Sequence, residues 1–163
     1  MKKILLLSDT HGQMDEFMLK HIKQADEVWH AGDVGTVQVT DVIKKYAKLR
    51  AVYGNIDGGE LRKEFNEIER FTLENVDVLM THIGGYPGRY VKNIREIIQK
   101  NPPKLFISGH SHILKVMYDK KHGLLHMNPG AAGIKGFHKV RTMLRFELIQ
   151  GEIKNLSVIE IQK

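Results

Sequence analysis

Two pairs of polar residues have the spacing of metal ligands. Asp9 and His11 follow the apolar residues 4–7 after one serine, and His110 and His112 follow a second short apolar run. Side chains two positions apart on extended backbone point to the same side. Each pair can therefore direct two side chains into one cleft, where carboxylate oxygens and imidazole nitrogens suit a divalent cation. Either pair alone is a weak signal, because such short patterns occur often by chance.

Three further motifs follow short apolar runs and carry oxygen or imidazole groups. They are Gly32-Asp33, Gly54-Asn55 and His82. Each has a purely structural alternative: Asp33 and Asn55 suit tight turns, and a lone His82 is more often a buried, hydrogen-bonded histidine. A glycine before the polar residue permits a tight turn or a close backbone approach. Taken together, the five motifs predict a metal site.

The elements expected around the N-terminal motifs alternate between strand and helix. Helical periodicity over residues 15–26 puts His21 on the apolar face, where it packs, and a second helix is marked at residues 39–46. Strands are expected at residues 27–30 and 50–53. This order implies parallel strands with right-handed crossovers. Ligands collect outside the carboxyl ends of such strands, which is where these motifs lie.

The second half of the chain is expected to contain mostly strands. Residues 60–67 are polar and have no clear pattern. One helix is marked at residues 91–98 and ends before Asn101-Pro102-Pro103. Further strands are expected at residues 68–73, 76–81, 105–108, 113–118, 124–127, 142–149 and 152–161.

Composition favours one domain, residues 1–163, in a reducing compartment. Cys is absent, so disulfides and thiolate ligands are excluded. The basic start precedes too few apolar residues for a signal peptide, and no window approaches the roughly 18 apolar residues of a membrane span. We therefore expect a cytoplasmic protein with no membrane partner. The net charge of +6 favours anionic partners, but the absence of an aromatic and basic motif disfavours nucleic acid.

The complete set of motifs resembles the calcineurin-like metallophosphoesterases. The order D-x-H, G-D, G-N, H, G-H-x-H spans residues 9–112 and is most similar to the small YfcE-type phosphodiesterase branch. The turn Asn128-Pro129-Gly130 also resembles that branch, although Ala131 stands where the branch has Ser. The resemblance implies an α/β fold, a two-sheet αββα sandwich of mixed strands flanked by helices. It also implies a binuclear metal site.

Carried over position by position, the resemblance implies two metal positions that share one ligand. The ligands implied at the first position are Asp9, His11, Asp33 and His112. The ligands implied at the second position are Asp33, Asn55, His82 and His110. Asp33 is then the bridge, and Asp33 and Asn55 are the residues expected to act in catalysis.

The charge of such a site favours an anionic substrate. Two divalent ions bring four positive charges, and Asp9 and Asp33 return two negative ones, which leaves a net charge of two. Two metals roughly 3.5–4 Å apart can clamp both sides of an in-line phosphoryl displacement. The implied reaction is hydrolysis of a small phosphate ester or diester by a metal-bridging hydroxide. Nitrogen and oxygen ligands suit Mn, Fe, Zn or Ni, and manganese is the first expectation.

Four positions near the motifs bear on the substrate. Ile56 occupies the place where many larger relatives have a histidine that protonates the leaving group, and Ile83 replaces the usual glycine after His82. Without that general acid, worth about 10²–10⁴ in rate, we expect a preference for diesters with good leaving groups. His30 either reaches the site or packs beneath it. Arg89 is a candidate phosphate contact, although a surface arginine is the simpler interpretation.

Two other functions are weighed against hydrolysis of a small ester. A non-catalytic scaffold resembling the retromer subunit of the same fold would tolerate loss of ligand positions, yet none is lost here. A nuclease would need a basic surface, and no basic stripe indicates one. The sequence is also compatible with a homo-oligomer.

Overall fold

The computed structural model describes the whole chain, Met1 to Lys163. The ten strands are β1 (Lys2–Leu7), β2 (Glu27–His30), β3 (Lys48–Ala51), β4 (Ile68–Leu73), β5 (Val76–Thr81), β6 (Leu105–Ile107), β7 (Leu114–Asp119), β8 (Leu124–Pro129), β9 (Val140–Ile149) and β10 (Glu152–Gln162). The four helices are α1 (Glu16–Ile22), α2 (Val37–Tyr46), α3 (Gly59–Glu64) and α4 (Lys92–Lys100). None of these helices is long and apolar enough to cross a membrane.

The strands form two sheets of five. The first sheet has the order β10-β9-β1-β2-β3, in which β1, β2 and β3 are parallel as predicted. The second sheet has the order β4-β5-β6-β8-β7, in which β5, β6 and β8 are parallel and the outer strands antiparallel. The predicted sandwich of mixed strands flanked by helices is confirmed.

The apolar run of β1 fills two cores at once. Ile4 and Leu6 face the core between the two sheets, whereas Leu5 and Leu7 face the core beneath α1 and α2. Successive strand residues point to opposite faces, and a strand covered on both faces is therefore apolar throughout. A third core lies under α4 on the outer face of the second sheet. These packed layers fix the strand ends from which the polar motifs emerge.

Several element bounds differ from the sequence prediction. The first helix is capped by the Asp15 side chain and ends at Ile22 rather than residue 26, because Asp26 is already hydrogen-bonded to Lys3 of β1. The third strand begins and ends two residues earlier than expected, because its register is set by pairing with β2. Helix α3 lies in the stretch that had no clear pattern, where only Leu61 is buried.

Candidate metal centre

Five loops meet at one end of the sandwich. They follow β1, β2 and β3 of the first sheet and β5 and β6 of the second. The loops contain all of the predicted ligands: Asp9, His11, Asp33, Asn55, His82, His110 and His112. The site therefore lies where the carboxyl ends of parallel strands from both sheets come together.

The backbone at most of these ligands is left-handed rather than extended. Asp9, His11, Asp33, His110 and His112 all have φ between 47° and 73°. The sequence prediction of extended backbone at the two spaced pairs is wrong in this respect, since β1 ends at Leu7 and β6 at Ile107. Non-glycine residues in this region cost of order 1–3 kcal/mol each and cluster at functional sites.

Hydrogen bonds between the loops hold this backbone in place. Asp9 N–H donates to the Gly32 carbonyl at 2.9 Å, and His11 N–H donates to the Asp33 carbonyl at 3.0 Å. Gly109 N–H donates to the His82 carbonyl at 2.9 Å in the same way. The strained ligand loops are therefore bonded to one another across the site.

The first group of ligand atoms belongs to Asp9, His11 and His112. Its three donor atoms all lie within 4.8 Å of one another. Asp9 Oδ1 is 3.1 Å from His112 Nε2 and 3.8 Å from His11 Nε2. Asp9 Oδ2 accepts a 2.6 Å hydrogen bond from the Ser8 hydroxyl, which leaves Oδ1 directed at the two imidazoles.

The second group belongs to Asp33, His82 and His110, whose donor atoms also lie within 4.8 Å of one another. Asp33 Oδ2 is 3.3 Å from His82 Nε2 and 3.5 Å from His11 Nε2 of the first group. One carboxylate oxygen thus faces an imidazole from each group. Asn55 joins the second group through its Oδ1, which is 3.1 Å from His110 Nδ1.

Two imidazole nitrogens in the centre are buried and have no hydrogen-bond partner: His11 Nε2 and His82 Nε2. His82 Nδ1 lies 2.7 Å from the Ala31 carbonyl, which can only accept, so Nδ1 carries the proton and Nε2 of the neutral ring has a lone pair. That lone pair faces Asp33 Oδ2, and two lone pairs attract only if a cation or a proton lies between them. Such an arrangement fits metal ligands whose second nitrogen is fixed by a backbone carbonyl.

The electrostatics of the centre point to bound positive charge. Burial alone would raise the pKa of Asp9, but the nearby imidazoles of His11 and His112 outweigh it and hold the pKa well below its usual range. The pKa of Asp33 is lowered in the same way, against the effect of burial, chiefly by His82. Burial would lower the pKa of His82, but the Asp33 and Asp9 carboxylates raise it. The carboxylates therefore stay ionised and draw a cation or proton to the imidazoles.

Asp57 braces the loops that carry Asp33 and Asn55. Its carboxylate is buried and accepts hydrogen bonds from the N–H groups of Val34 at 3.1 Å, Gly35 at 2.8 Å and Gly54 at 2.8 Å. Asp57 therefore orients the Asn55 loop. The hydrogen bonds to Val34 and Gly35 also connect that loop to the Asp33 loop.

Two glycines allow the ligand loops to approach closely. A Cβ on Gly54 would lie 2.1 Å from Asp33 Oδ1, and a Cβ on Gly32 would lie 2.6 Å from the His82 ring. Gly32 also has φ of +100°, which glycine adopts without steric cost. The glycines that precede Asp33 and Asn55 are therefore required by packing inside the centre.

The two candidate substrate contacts have different surroundings. His30 is fully buried, with Nε2 3.0 Å from the Thr10 hydroxyl and Nδ1 accepting from Gly32 N–H at 3.1 Å. Of the two alternatives for His30, the geometry therefore favours packing beneath the loops. Arg89 is exposed in the loop before α4, and its side chain makes no hydrogen bond or ion pair. Its contact with phosphate stays a prediction.

Two cavities flank the second ligand group. The cavity that we call the apolar cavity has a volume of about 190 Å³ and is lined by Ile83, Tyr86, Val91, His110, Ile113 and His126, among others. The cavity that we call the polar cavity has a volume of about 290 Å³ and is lined by Tyr53, Asn55, Arg62, Thr81, His82 and Ile83, among others. Ile83 borders both cavities.

Several residues near the centre were not singled out from the sequence as contributors to the site. His138 packs edge-on against His112 with ring centroids 5.2 Å apart, and Arg62 lies 4.5 Å over the Tyr53 ring in the polar cavity. His126 lines the apolar cavity. No local motif marks these residues, because they are brought to the site only by the tertiary fold.

The family of the chain follows from its similarity to known proteins. The calcineurin-like phosphoesterase superfamily domain matches residues 1–151, and the chain belongs to this family. It is 29% identical to a probable metallophosphoesterase of Mycoplasma pneumoniae over 163 residues, which cover 96% of each chain. It is 31% identical to one of Mycoplasma genitalium over 140 residues, which cover 80% of this chain and 77% of the relative.

Solved structures share the fold. An archaeal phosphodiesterase superposes with a TM-score of 0.78 at 19% identity, covering 98% of this chain and 99% of that chain. Vps29 of Entamoeba histolytica, complexed with zinc, superposes with a TM-score of 0.74 at 17% identity, covering 98% of each chain. The family uses divalent metals, and this chain has two candidate metal-binding groups of Asp and His.

Proposed function

We propose that the protein is a metal-dependent phosphodiesterase that hydrolyses small phosphate diesters in the cytoplasm. The observation that carries the proposal is the position of Asp33 Oδ2, which lies 3.5 Å from His11 Nε2 of one ligand group and 3.3 Å from His82 Nε2 of the other. A single carboxylate oxygen between two such groups suits a ligand shared by two cations.

The residues fit a pair of divalent cations. Asp9, His11 and His112 would hold one cation and Asn55, His82 and His110 the other, with Asp33 common to both. Two bound cations would polarise a phosphoryl oxygen and make a water nucleophilic near neutral pH. Manganese is the expected metal, with iron, zinc and nickel as alternatives compatible with nitrogen and oxygen ligands.

The chain's own residues would orient the substrate. Asn55 is exposed at the mouth of the centre, and with Oδ1 turned toward His110 its amide N–H₂ is free to donate to a phosphoryl oxygen. Asp57 and the loop hydrogen bonds keep Asn55 and Asp33 at fixed separation. Binding the substrate in a fixed geometry lowers the activation barrier, because the orientational entropy is lost on binding and not in reaching the transition state.

Two features support a diester rather than a monoester. The apolar cavity is lined in part by His110 and the polar cavity by Asn55 and His82, and Ile83 borders both. A diester has two ester groups, and each cavity can take one. Ile56, which follows Asn55 and is half exposed, has no proton to give a poor leaving group, so an activated diester is the favoured substrate.

The proposal is tested with bis(p-nitrophenyl) phosphate and added Mn²⁺. We expect turnover by the natural protein and a loss in Asp33→Asn greater than the roughly 10–100-fold that removal of an outer-shell partner costs. Asp41→Asn, the same change at an exposed carboxylate of α2, is the matched control and should keep full activity. Equal rates in both variants, with circular dichroism confirming that each is folded, would contradict the assignment.

A scaffold is the second candidate, because several structural neighbours are Vps29 proteins and strand β7 offers a surface for a partner. This edge strand exposes Val116, Met117 and Tyr118 in succession. Absence of bound metal after purification, together with no Asp33-dependent turnover, would favour this candidate over the enzyme.

A further inference from the structure

The apolar cavity is a well-defined pocket beside the metal centre. It lies between the loop after His82 and strands β7 and β8, and His110 forms part of its wall. Its volume of about 190 Å³ is below the roughly 300 Å³ at which pockets for drug-sized ligands begin. The cavity therefore has room for one ring-sized group attached to a phosphate at the centre.

The walls of the cavity favour a flat apolar group. Ile83, Tyr86, Val91 and Ile113 contribute apolar side chains to the lining. Tyr86 is held by Lys115, whose ammonium lies 3.9 Å from the centre of the tyrosine ring. This cation–π contact connects the loop before α4 to strand β7 and adds a positive charge that attracts a phosphate ester.

His126 adds one directed hydrogen-bond acceptor to this lining. The side chain is only 1% exposed and stacks on Phe106 with ring centroids 5.3 Å apart. Its Nδ1 lies 3.1 Å from the Phe106 carbonyl, so Nδ1 carries the proton and donates, and Nε2 has a lone pair. Nε2 makes no hydrogen bond within the chain, and burial lowers the pKa of His126 to about 4, which keeps the ring neutral.

An acceptor in the cavity wall that has no partner within the chain can take a hydrogen bond from a donor on a ligand. We propose that the apolar cavity binds one ester group of the substrate and selects an aromatic ring that carries an O–H or N–H donor for His126 Nε2. The inference rests on the proposed phosphodiesterase, whose centre anchors the phosphate. A hydroxyphenyl ester and a nucleotide whose base carries an N–H both present such a ring, and the test separates them.

Binding to the Mn²⁺-loaded protein is measured by calorimetry with two matched pairs of phosphates. Phenyl phosphate is compared with methyl phosphate, and uridine 5′-monophosphate with ribose 5-phosphate. Burial of one ring should make the ring-bearing member of at least one pair bind roughly 10-fold or more tightly. A preference in the first pair identifies an aryl ester, and a preference in the second identifies a nucleobase. Equal affinities within both pairs would overturn the proposal.

Substitutions inside and outside the apolar cavity test where the ring of the bound phosphate lies. Ile83→Ala with Ile113→Ala shortens two half-exposed cavity walls and should reduce the ring preference several-fold. Ile134→Ala changes an equally exposed isoleucine outside the cavity and should leave the preference intact. If the cavity variant keeps the full preference, the ring binds elsewhere and the proposal fails.

His126→Phe tests the acceptor, because it retains a ring for stacking on Phe106 and removes Nε2. If phenyl phosphate binds more tightly than methyl phosphate, the probes are 2-, 3- and 4-hydroxyphenyl phosphate. If uridine 5′-monophosphate binds more tightly than ribose 5-phosphate, it is the probe. At least one of these probes should bind several-fold more weakly to His126→Phe, while the matched phosphate that has no donor-bearing ring, phenyl phosphate or ribose 5-phosphate, keeps its affinity. Unchanged affinities would exclude His126 as the acceptor. Since binding is read without turnover, failure of this inference is separate from failure of the hydrolase activity.

Discussion

Asp33 uses its two carboxylate oxygens differently. Oδ1 accepts the Ile56 N–H at 3.1 Å and fixes the side chain, whereas Oδ2 faces the imidazoles of His11 and His82. The sequence motif Gly32-Asp33 predicted that Asp33 is a ligand, but it did not predict that its two oxygens have different partners. The second oxygen is free to be shared only because the loop after β3 supplies the bond to the first.

His30 beneath the same loops predicts a pH dependence of folding. Burial lowers its pKa from 6.5 to about 4 against the opposing charges of Asp57 and Asp9. Between these values the unfolded chain binds more protons than the folded chain, so the free energy of unfolding falls as the pH falls through this window. A shift of this size corresponds to roughly 3 kcal/mol.

Urea unfolding in EDTA at about pH 7 and about pH 4.5 measures this dependence. We expect His30→Gln to lose markedly less stability between the two pH values than the natural protein. His126, whose pKa is also about 4, keeps part of the acid sensitivity in both proteins. An equal loss of stability in His30→Gln and in the natural protein would mean that His30 is already protonated, or already exposed, in the folded chain.

At the scale of elements, the loops that follow the strands determine the site more than the strands do. The sequence pattern predicted the buried strand β1 from its apolar run at residues 4–7, and it placed the hairpin turn at Glu74-Asn75 between two expected strands, where both residues have positive φ as tight hairpins require. It could not predict left-handed backbone at Asp9 or His112, because non-glycine residues adopt it only when bonds from distant loops compensate the strain.

The loop after β3 gives a direct test of this packing. A Cβ on Gly54 would lie 2.1 Å from Asp33 Oδ1, whereas a Cβ on Gly59 meets nothing within 4 Å. We expect Gly54→Ala to displace Asp33 and to lower Mn²⁺ affinity by roughly 10–100-fold or more, as loss of ligand orientation does. Gly59→Ala, at the start of α3, should leave the affinity unchanged.

Titration calorimetry with Mn²⁺ compares the two glycine variants, and thermal melts confirm that both are folded. If Gly54→Ala binds Mn²⁺ as tightly as Gly59→Ala, the separation between Asp33 and the Asn55 loop does not control the centre.

At the scale of the whole molecule, the site exists because two parallel-strand segments present their carboxyl ends at the same end of the sandwich. Asp9, His11, Asp33 and Asn55 come from the first sheet and His82, His110 and His112 from the second. The motifs identified these residues from the sequence, and resemblance to a known family supplied the sandwich. The apolar cavity was not predictable, since Ile83 and His126 are far apart along the chain and are joined only by the order of β5, β6 and β8.

The most direct measurement of the central claim is anomalous diffraction from crystals grown with Mn²⁺. We predict two manganese peaks roughly 3.5–4 Å apart, with Asp33 in contact with both, the first also bound by Asp9, His11 and His112, and the second by Asn55, His82 and His110. A single peak, or two peaks of which only one touches Asp33, would contradict the shared-carboxylate centre on which the proposed hydrolase depends.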